Sequence, residues 1–138
     1  MYVVSRCLLG ESCKYNGGHN YSQKVIDFLK DKDYIAVCPE ELGGLPTPRT
    51  PCERCENKVI NKLGEDKTKE FVLGANRAID LIKDKDIKGA LLQARSPSCG
   101  KGLIYDGTFS GKLVKGNGIF AEKLMMLGIE IKHEDELE

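Results

Sequence analysis

The sequence predicts an α/β fold in three layers: a mostly parallel sheet of about four strands with helices on both faces. Two observations predict it. Short apolar runs of strand length alternate with longer runs of helical periodicity, in the order β-α-β-loop-α-β-loop-α-β, and such alternation implies right-handed crossovers between parallel strands. The chain has 138 residues, the usual size of one domain, and at that size roughly two-thirds of the unfolded surface is buried without help from disulfides. The expected arrangement is a single Rossmann- or flavodoxin-like domain over residues 1–138.

Each element has its own signal. Tyr2–Ser5 is apolar and β-branched and reads as the first strand. The stretch from Leu8 to Asn20 carries Gly10, Gly17 and Gly18 and reads as a loop. Over Ser22–Lys30, the residues Val25, Phe28 and Leu29 join Tyr21 on one face at helical spacing. Asp31-Lys32-Asp33 turns the chain into a second strand, Tyr34–Val37. Cys38 to Glu56 holds Pro39, Pro46, Pro48 and Pro51 and the pair Gly43-Gly44, and is expected to be irregular throughout. An irregular stretch of that length in a small domain is usually functional. Val59–Lys62 reads as a short edge strand before a turn at Gly64.

The strongest helix is Thr68–Lys83, with Phe71, Val72, Ala75, Ala78, Ile79 and Ile82 on one stripe and Asp66 or Thr68 as its cap. Ile87–Gln93 is the third strand, Ala94–Gly102 a second special loop, and Leu103–Val114 an irregular hairpin around Asp106-Gly107 and Ser110-Gly111. Ile119–Leu127 is a helix ended by Gly128, Ile129–Lys132 a fourth strand, and the acidic tail after His133 is expected to fray.

Composition narrows the function. Hydrophobic residues are 41% and charged residues 30%, as in a globular protein. Net charge is zero with Lys and Arg scattered, which argues against a long nucleic acid as partner. The amino terminus has no basic segment followed by a long apolar stretch, and no run reaches membrane-spanning length. The expectation is a cytoplasmic protein with no membrane partner. In a reducing compartment its six cysteines are ligands, nucleophiles or core residues rather than disulfides.

Three of those cysteines stand where an apolar run stops: Cys7 after Tyr2–Ser5, Cys38 after Tyr34–Val37, and Cys99 soon after Ala90-Leu91-Leu92. If the runs are parallel strands, the thiols emerge at the carboxyl edge of the sheet, where open α/β folds bind ligands. Three thiolates around one point suit a soft metal or an iron–sulfur cluster with one position left open. Zinc competes as the bound metal, although structural zinc usually takes ligands in close pairs. Cys52 and Cys55 have the spacing of a redox pair or half a zinc site, and Cys13 reads as an incidental loop thiol. Glu40, two residues after Cys38, suits a general acid or base, with Glu41 beside it. Arg49 offers a planar fork to an anion or carbonyl, or to a nearby carboxylate. Ser96 and Ser98 flank Pro97 next to Cys99 and either bond a ligand or cap the turn. Tyr105 and Phe109 either wall a pocket or fill the core, and His19 and His133 are expected at the surface.

Three linked motifs carry a family resemblance. They are Ser5-Arg6-Cys7-Leu8-Leu9-Gly10 with Lys14-Tyr15-Asn16-Gly17, the run Cys38–Arg49, and Ser96-Pro97-Ser98-Cys99-Gly100 with Ile104–Gly111. Together, in this order, they resemble the small bacterial thiouracil desulfurase-like family. The resemblance implies a 4Fe–4S cluster held by Cys7, Cys38 and Cys99, with no protein ligand on the fourth iron. It implies non-redox hydrolysis of C=S to C=O on a thiolated pyrimidine or similar small molecule. Glu40 would be the acid/base and Ser96 the hydroxyl that passes or orients the proton, with Ser98 and Arg49 positioning the substrate. The chain departs from the family pattern at Pro51-Cys52-Glu53-Arg54-Cys55, where Pro-x-Glu is expected. That pair supports an alternative of another class: a sulfur or metal carrier, or a zinc-stabilised binding module, without turnover.

Overall fold

A computed structural model describes residues 1–137. Its main sheet has four parallel strands: β1 (Tyr2–Ser5), β2 (Tyr34–Val37), β5 (Gly89–Leu92) and β8 (Ile131–His133), in the order β2-β1-β5-β8. Outside that sheet, β3 (Cys52–Cys55) pairs with β4 (Lys58–Asn61) and β6 (Leu103–Tyr105) with β7 (Leu113–Lys115) as two antiparallel hairpins. The helices are α1 (Gln23–Leu29), α2 (Pro39–Leu42), α3 (Thr68–Ile82) and α4 (Ile119–Met126).

Strand alternation splits the core between two faces. Val3 and Leu92 pack with Phe71, Ala75 and Ala78 of α3 and Phe120 and Leu124 of α4. Their neighbours Val4 and Leu91 pack on the opposite face with Val25 and Leu29 of α1. The chain leaves β1 toward β2 on one side and later returns to β5 on the other. The strand order therefore reverses between β1 and β5, and the crevice at their carboxyl ends is the ligand position of this architecture. Among the described residues, no helix is long and apolar enough to cross a membrane.

Several local expectations need correction. The segment Cys38–Glu56 is not irregular throughout: it contains α2 and β3. Pro39 opens α2 at the first turn, where a missing N–H costs nothing, so this proline does not exclude a helix. The other prolines end at Pro51, and the strand begins one residue later. The helix α3 is preceded by Lys67 with no side-chain cap. Asp66 Oδ1 instead accepts the Thr68 N–H at 2.9 Å, and Thr68 Oγ1 accepts from Val59 N of β4. The tail does not fray at its start. Glu134–Glu136 form a 3-10 turn, Glu134 Oε1 accepts the Ala94 N–H at 3.0 Å, and Leu137 is buried. His133 is buried rather than at the surface: Nδ1 donates to Leu92 O and Nε2 accepts from Lys101 N.

Candidate active site

The three parallel strands β1, β2 and β5 deliver one thiol each to their common edge. Cys7 lies in a 3-10 turn (Arg6–Leu9) that follows β1 directly, and Cys38 is the residue between β2 and α2. Cys99 follows β5 in a loop closed by Gly100 N to Ser96 O. All three are buried and line one cavity of about 490 Å³. Polar groups reach two of the sulfurs. Asn20 Nδ2 donates to Cys7 Sγ at 3.6 Å, and the Ser98 hydroxyl oxygen lies 3.6 Å from Cys99 Sγ. Burial pushes the Cys99 thiol up to about 12. The neighbouring Cys13 thiol, and then burial, push Cys38 higher still. Such thiols become thiolates when a metal takes the place of the proton.

Cys13 is no incidental loop thiol. The loop after β1 folds back, with Asn20 N bonded to Cys7 O and Lys14 N to Gly18 O, and this tucks Cys13 into the same cavity at 3% exposure. Cys38 Sγ donates to its carbonyl at 3.8 Å. The thiol of Cys13 is pushed up to about 12; contact with Cys38 lowers it, but contact with Cys7 and burial outweigh that effect. Among the described residues, no three His, Cys, Asp or Glu side chains sit close enough to hold a single metal ion. A cluster of several irons spreads its thiolates more widely than one ion does. The donor set of buried, cavity-lining sulfurs with N–H and O–H groups around them fits such a group.

The acidic side of the cavity is equally built. Glu40 extends from α2 and is gripped by Arg49, whose Nη2 and Nε lie 3.2 and 3.3 Å from Oε1. Arg49 is almost fully buried, at 6% side-chain exposure, and gives its remaining donors to Pro46 O, Thr47 Oγ1 and Cys13 O. Glu40 Oε2 accepts from Ser98 Oγ at 3.0 Å. Ser96 Oγ lies 3.0 Å from Ser98 Oγ and accepts the backbone N–H groups of Ser98 and Cys99. The two readings left open for these serines therefore combine: Ser96 caps the turn and also continues a hydroxyl chain to the carboxylate. Glu41 points elsewhere, to Arg6 Nη1 and Thr47 Oγ1, and is not among the residues that line the cavity.

A family model described as 2-thiouracil desulfurase matches residues 2–136. The chain belongs to the 2-thiouracil desulfurase family. It is similar to the uncharacterized protein YbbK of Bacillus subtilis (strain 168), with 38% identity over 147 residues, 99% of this chain and 97% of that protein. It is also similar to a solved structure described as the 4Fe-4S-dependent thiouracil desulfidase TudS. The TM-score is 0.91 and the identity 41%, over 99% of this chain and 91% of that one.

In this desulfurase-family chain, Cys52 and Cys55 are not placed to form a disulfide with each other. They occupy the two ends of β3, and three residues of strand span about 10 Å, beyond the Cα separation a disulfide tolerates. Cys52 lines the cavity, where burial pushes its thiol up to about 11. Cys55 is exposed and packs against Gly107. Tyr105 and Phe109 both line the cavity, and neither joins a core cluster. Sequence reasoning missed Asn20 and Gln93, whose Oε1 accepts from Cys7 Sγ at 3.3 Å. The available signal was a polar side chain directly after the apolar run of β5.

Proposed function

We propose that this protein is an iron–sulfur desulfurase that hydrolyses the C=S group of a thiolated pyrimidine, such as 2-thiouracil, to C=O. One observation carries the reading: three buried thiols and a carboxylate–hydroxyl chain share one cavity in a chain of the 2-thiouracil desulfurase family. Cys7, Cys38 and Cys99 would hold a 4Fe–4S cluster, which supplies, when bound, a Lewis-acidic iron for the thiocarbonyl sulfur.

The chain's own residues manage the water and its protons. Arg49 fixes the Glu40 carboxylate, and Glu40 takes a proton from the water that attacks the thiocarbonyl carbon. The hydroxyls of Ser98 and Ser96 line up behind it, Ser96 donating to Ser98 and Ser98 to Glu40, and orient the carboxylate so that it returns the proton to the departing sulfur. Ser96 is held in that role by the two N–H groups it accepts. Arg49 acts through Glu40 rather than on substrate, because its Nε, both N–H groups of Nη1 and one of Nη2 are bonded to protein acceptors, and Nη2 also lies 3.2 Å from the Glu40 carboxylate. Water gives its oxygen to carbon, its two hydrogens leave with sulfur as hydrogen sulfide, and no electrons are transferred.

Metal analysis after anaerobic reconstitution tests the reading. Iron and acid-labile sulfide are expected in equal amounts, with release of uracil and sulfide from 2-thiouracil. Alanine at Cys7, Cys38 or Cys99 is expected to abolish both cluster content and turnover. Zinc without iron or sulfide, in a protein with no turnover, would instead favour a zinc-stabilised binding module.

A further inference from the structure

The loop that joins β6 to β7 carries a residue whose position neither hydrophobic core explains. Phe109 is only half-buried and belongs to neither core cluster, yet it lines the cavity that holds the three thiols and Glu40. Its backbone is left-handed, with φ 58°. That conformation is unfavourable for a bulky residue and comes cheaply to glycine or asparagine. Gly107 and Gly111 of the same loop take positive φ without strain, at 95° and 81°, but position 109 keeps a phenyl ring. Strain retained beside a reaction cavity points to a use for the side chain.

The chain also holds this conformation in place. Glu53 reaches from the middle of β3 and accepts, on its single oxygen Oε1, the N–H groups of Gly107 at 3.0 Å and Phe109 at 3.1 Å. Asp106 Oδ1 accepts from Thr108 N and Oγ1 and tightens the same turn. Cys55 backs the loop from outside, since a Cβ on Gly107 would meet Cys55 Cβ at 2.9 Å. Arg54 ties the other side of β3 to Asn117 O and Glu122. The Cys52-Glu53-Arg54-Cys55 segment is thus a brace for the loop that presents Phe109.

We infer that Phe109 is the face on which the ring of the substrate stacks, and that Glu53 is the positioning residue that holds it there. This inference rests on the desulfurase reading above and adds a specificity: the site selects flat, unsaturated thiocarbonyl rings over saturated ones. A phenyl face recognises the flat face of a heterocycle whatever its edge substituents, and such stacking is worth about a tenfold effect or more in affinity.

The test uses 2-thiouracil and 5,6-dihydro-2-thiouracil, which share the thiocarbonyl and both N–H groups and differ in the flat ring. With cluster-loaded wild-type enzyme, kcat/KM is expected to favour 2-thiouracil by about tenfold. Phe109→Leu is expected to bring that ratio to within about twofold, and Phe109→Tyr to keep it. Glu53→Ala leaves the ring present but frees its loop, and is expected to collapse the ratio as well. Glu53→Gln still offers an oxygen to both N–H groups and is expected to restore it. Equal use of the two compounds by wild type, or a wild-type ratio in Phe109→Leu, overturns the inference and leaves the desulfurase reading standing. If Phe109→Leu does not fold, the Glu53 pair decides on the same criterion. A loaded wild-type enzyme that turns over neither compound overturns the desulfurase reading itself, and the inference with it.

Discussion

Four of the five N–H donors of Arg49 have protein acceptors, one each on Glu40, Pro46 O, Thr47 Oγ1 and Cys13 O, and Nη2 also lies 3.2 Å from Glu40 Oε1. A guanidinium so occupied fixes its neighbours. Lysine at this position keeps the charge but loses the fork. Arg49→Lys is therefore expected to lower kcat by about tenfold or more through a misplaced Glu40 while KM for 2-thiouracil moves little. Steady-state kinetics separate the two parameters; a large rise in KM with kcat preserved would place the guanidinium on the substrate instead. That Cys7, Cys38, Cys99 and Glu40 meet at one cavity was legible in the sequence because each follows an apolar run, directly or in the loop after it, and the sheet edge follows from that. A nearby carboxylate was legible as a partner of Arg49 and is Glu40, but Pro46 O and Cys13 O were not, because these backbone carbonyls reach it only through the folding of loops. Cys13 was misread for the same reason: nothing in Glu11-Ser12-Cys13-Lys14 indicates that the loop turns back under the sheet edge.

Helix α2 has only four residues, too few for any periodicity to register, yet it sets the spacing between Cys38 and Glu40. What holds it is backbone contact with α3. A Cβ on Gly74 would stand 1.7 Å from Pro39 O, and one on Gly43 would stand 2.0 Å from Glu70 O. Neither obstacle is a flexible side chain, so neither position admits a methyl group without parting the helices. Gly74→Ala is expected to destabilise the fold by about 3 kcal/mol, at the upper end for an overpacked site, as read by chemical denaturation. Pro39 lies between a thiol and the carboxylate, so the same variant is expected to retain less iron after reconstitution. A wild-type midpoint and full iron content would mean that α2 can shift freely. The helices α1 and α3 were readable from helical period, and the four sheet strands from their apolar runs. α2 and β3 carry neither signal and are created by what they pack on: α2 by the surface of α3, and β3 by pairing with β4.

Over the whole molecule, the reversal of strand order between β1 and β5 opens the crevice, and the last described turn of the chain closes it from behind. Glu134 Oε1 holds the Ala94 N–H at the root of the loop that carries Ser96, Ser98 and Cys99. Its other oxygen is buried with no partner among the described residues. Burial raises the Glu134 pKa above its ordinary 4.5, and Asp135 adds to this, while the Ala94 N–H, His133 and Arg95 oppose it. Above the ordinary value the unfolded chain releases this proton while the native state still holds it, so the neutral carboxyl favours the fold at low pH. That contribution is complete below 4.5 and is lost as pH rises through the raised native value. Glutamine keeps the oxygen that accepts from Ala94 but cannot ionise. The unfolding midpoint of Glu134→Gln relative to wild type is therefore expected to rise with pH from about 4 upward and to level off once the native carboxyl has ionised. The same scans would give a difference independent of pH if Glu134 titrated alike in both states, and the tail would then hold the loop of Ser96, Ser98 and Cys99 by its hydrogen bond alone.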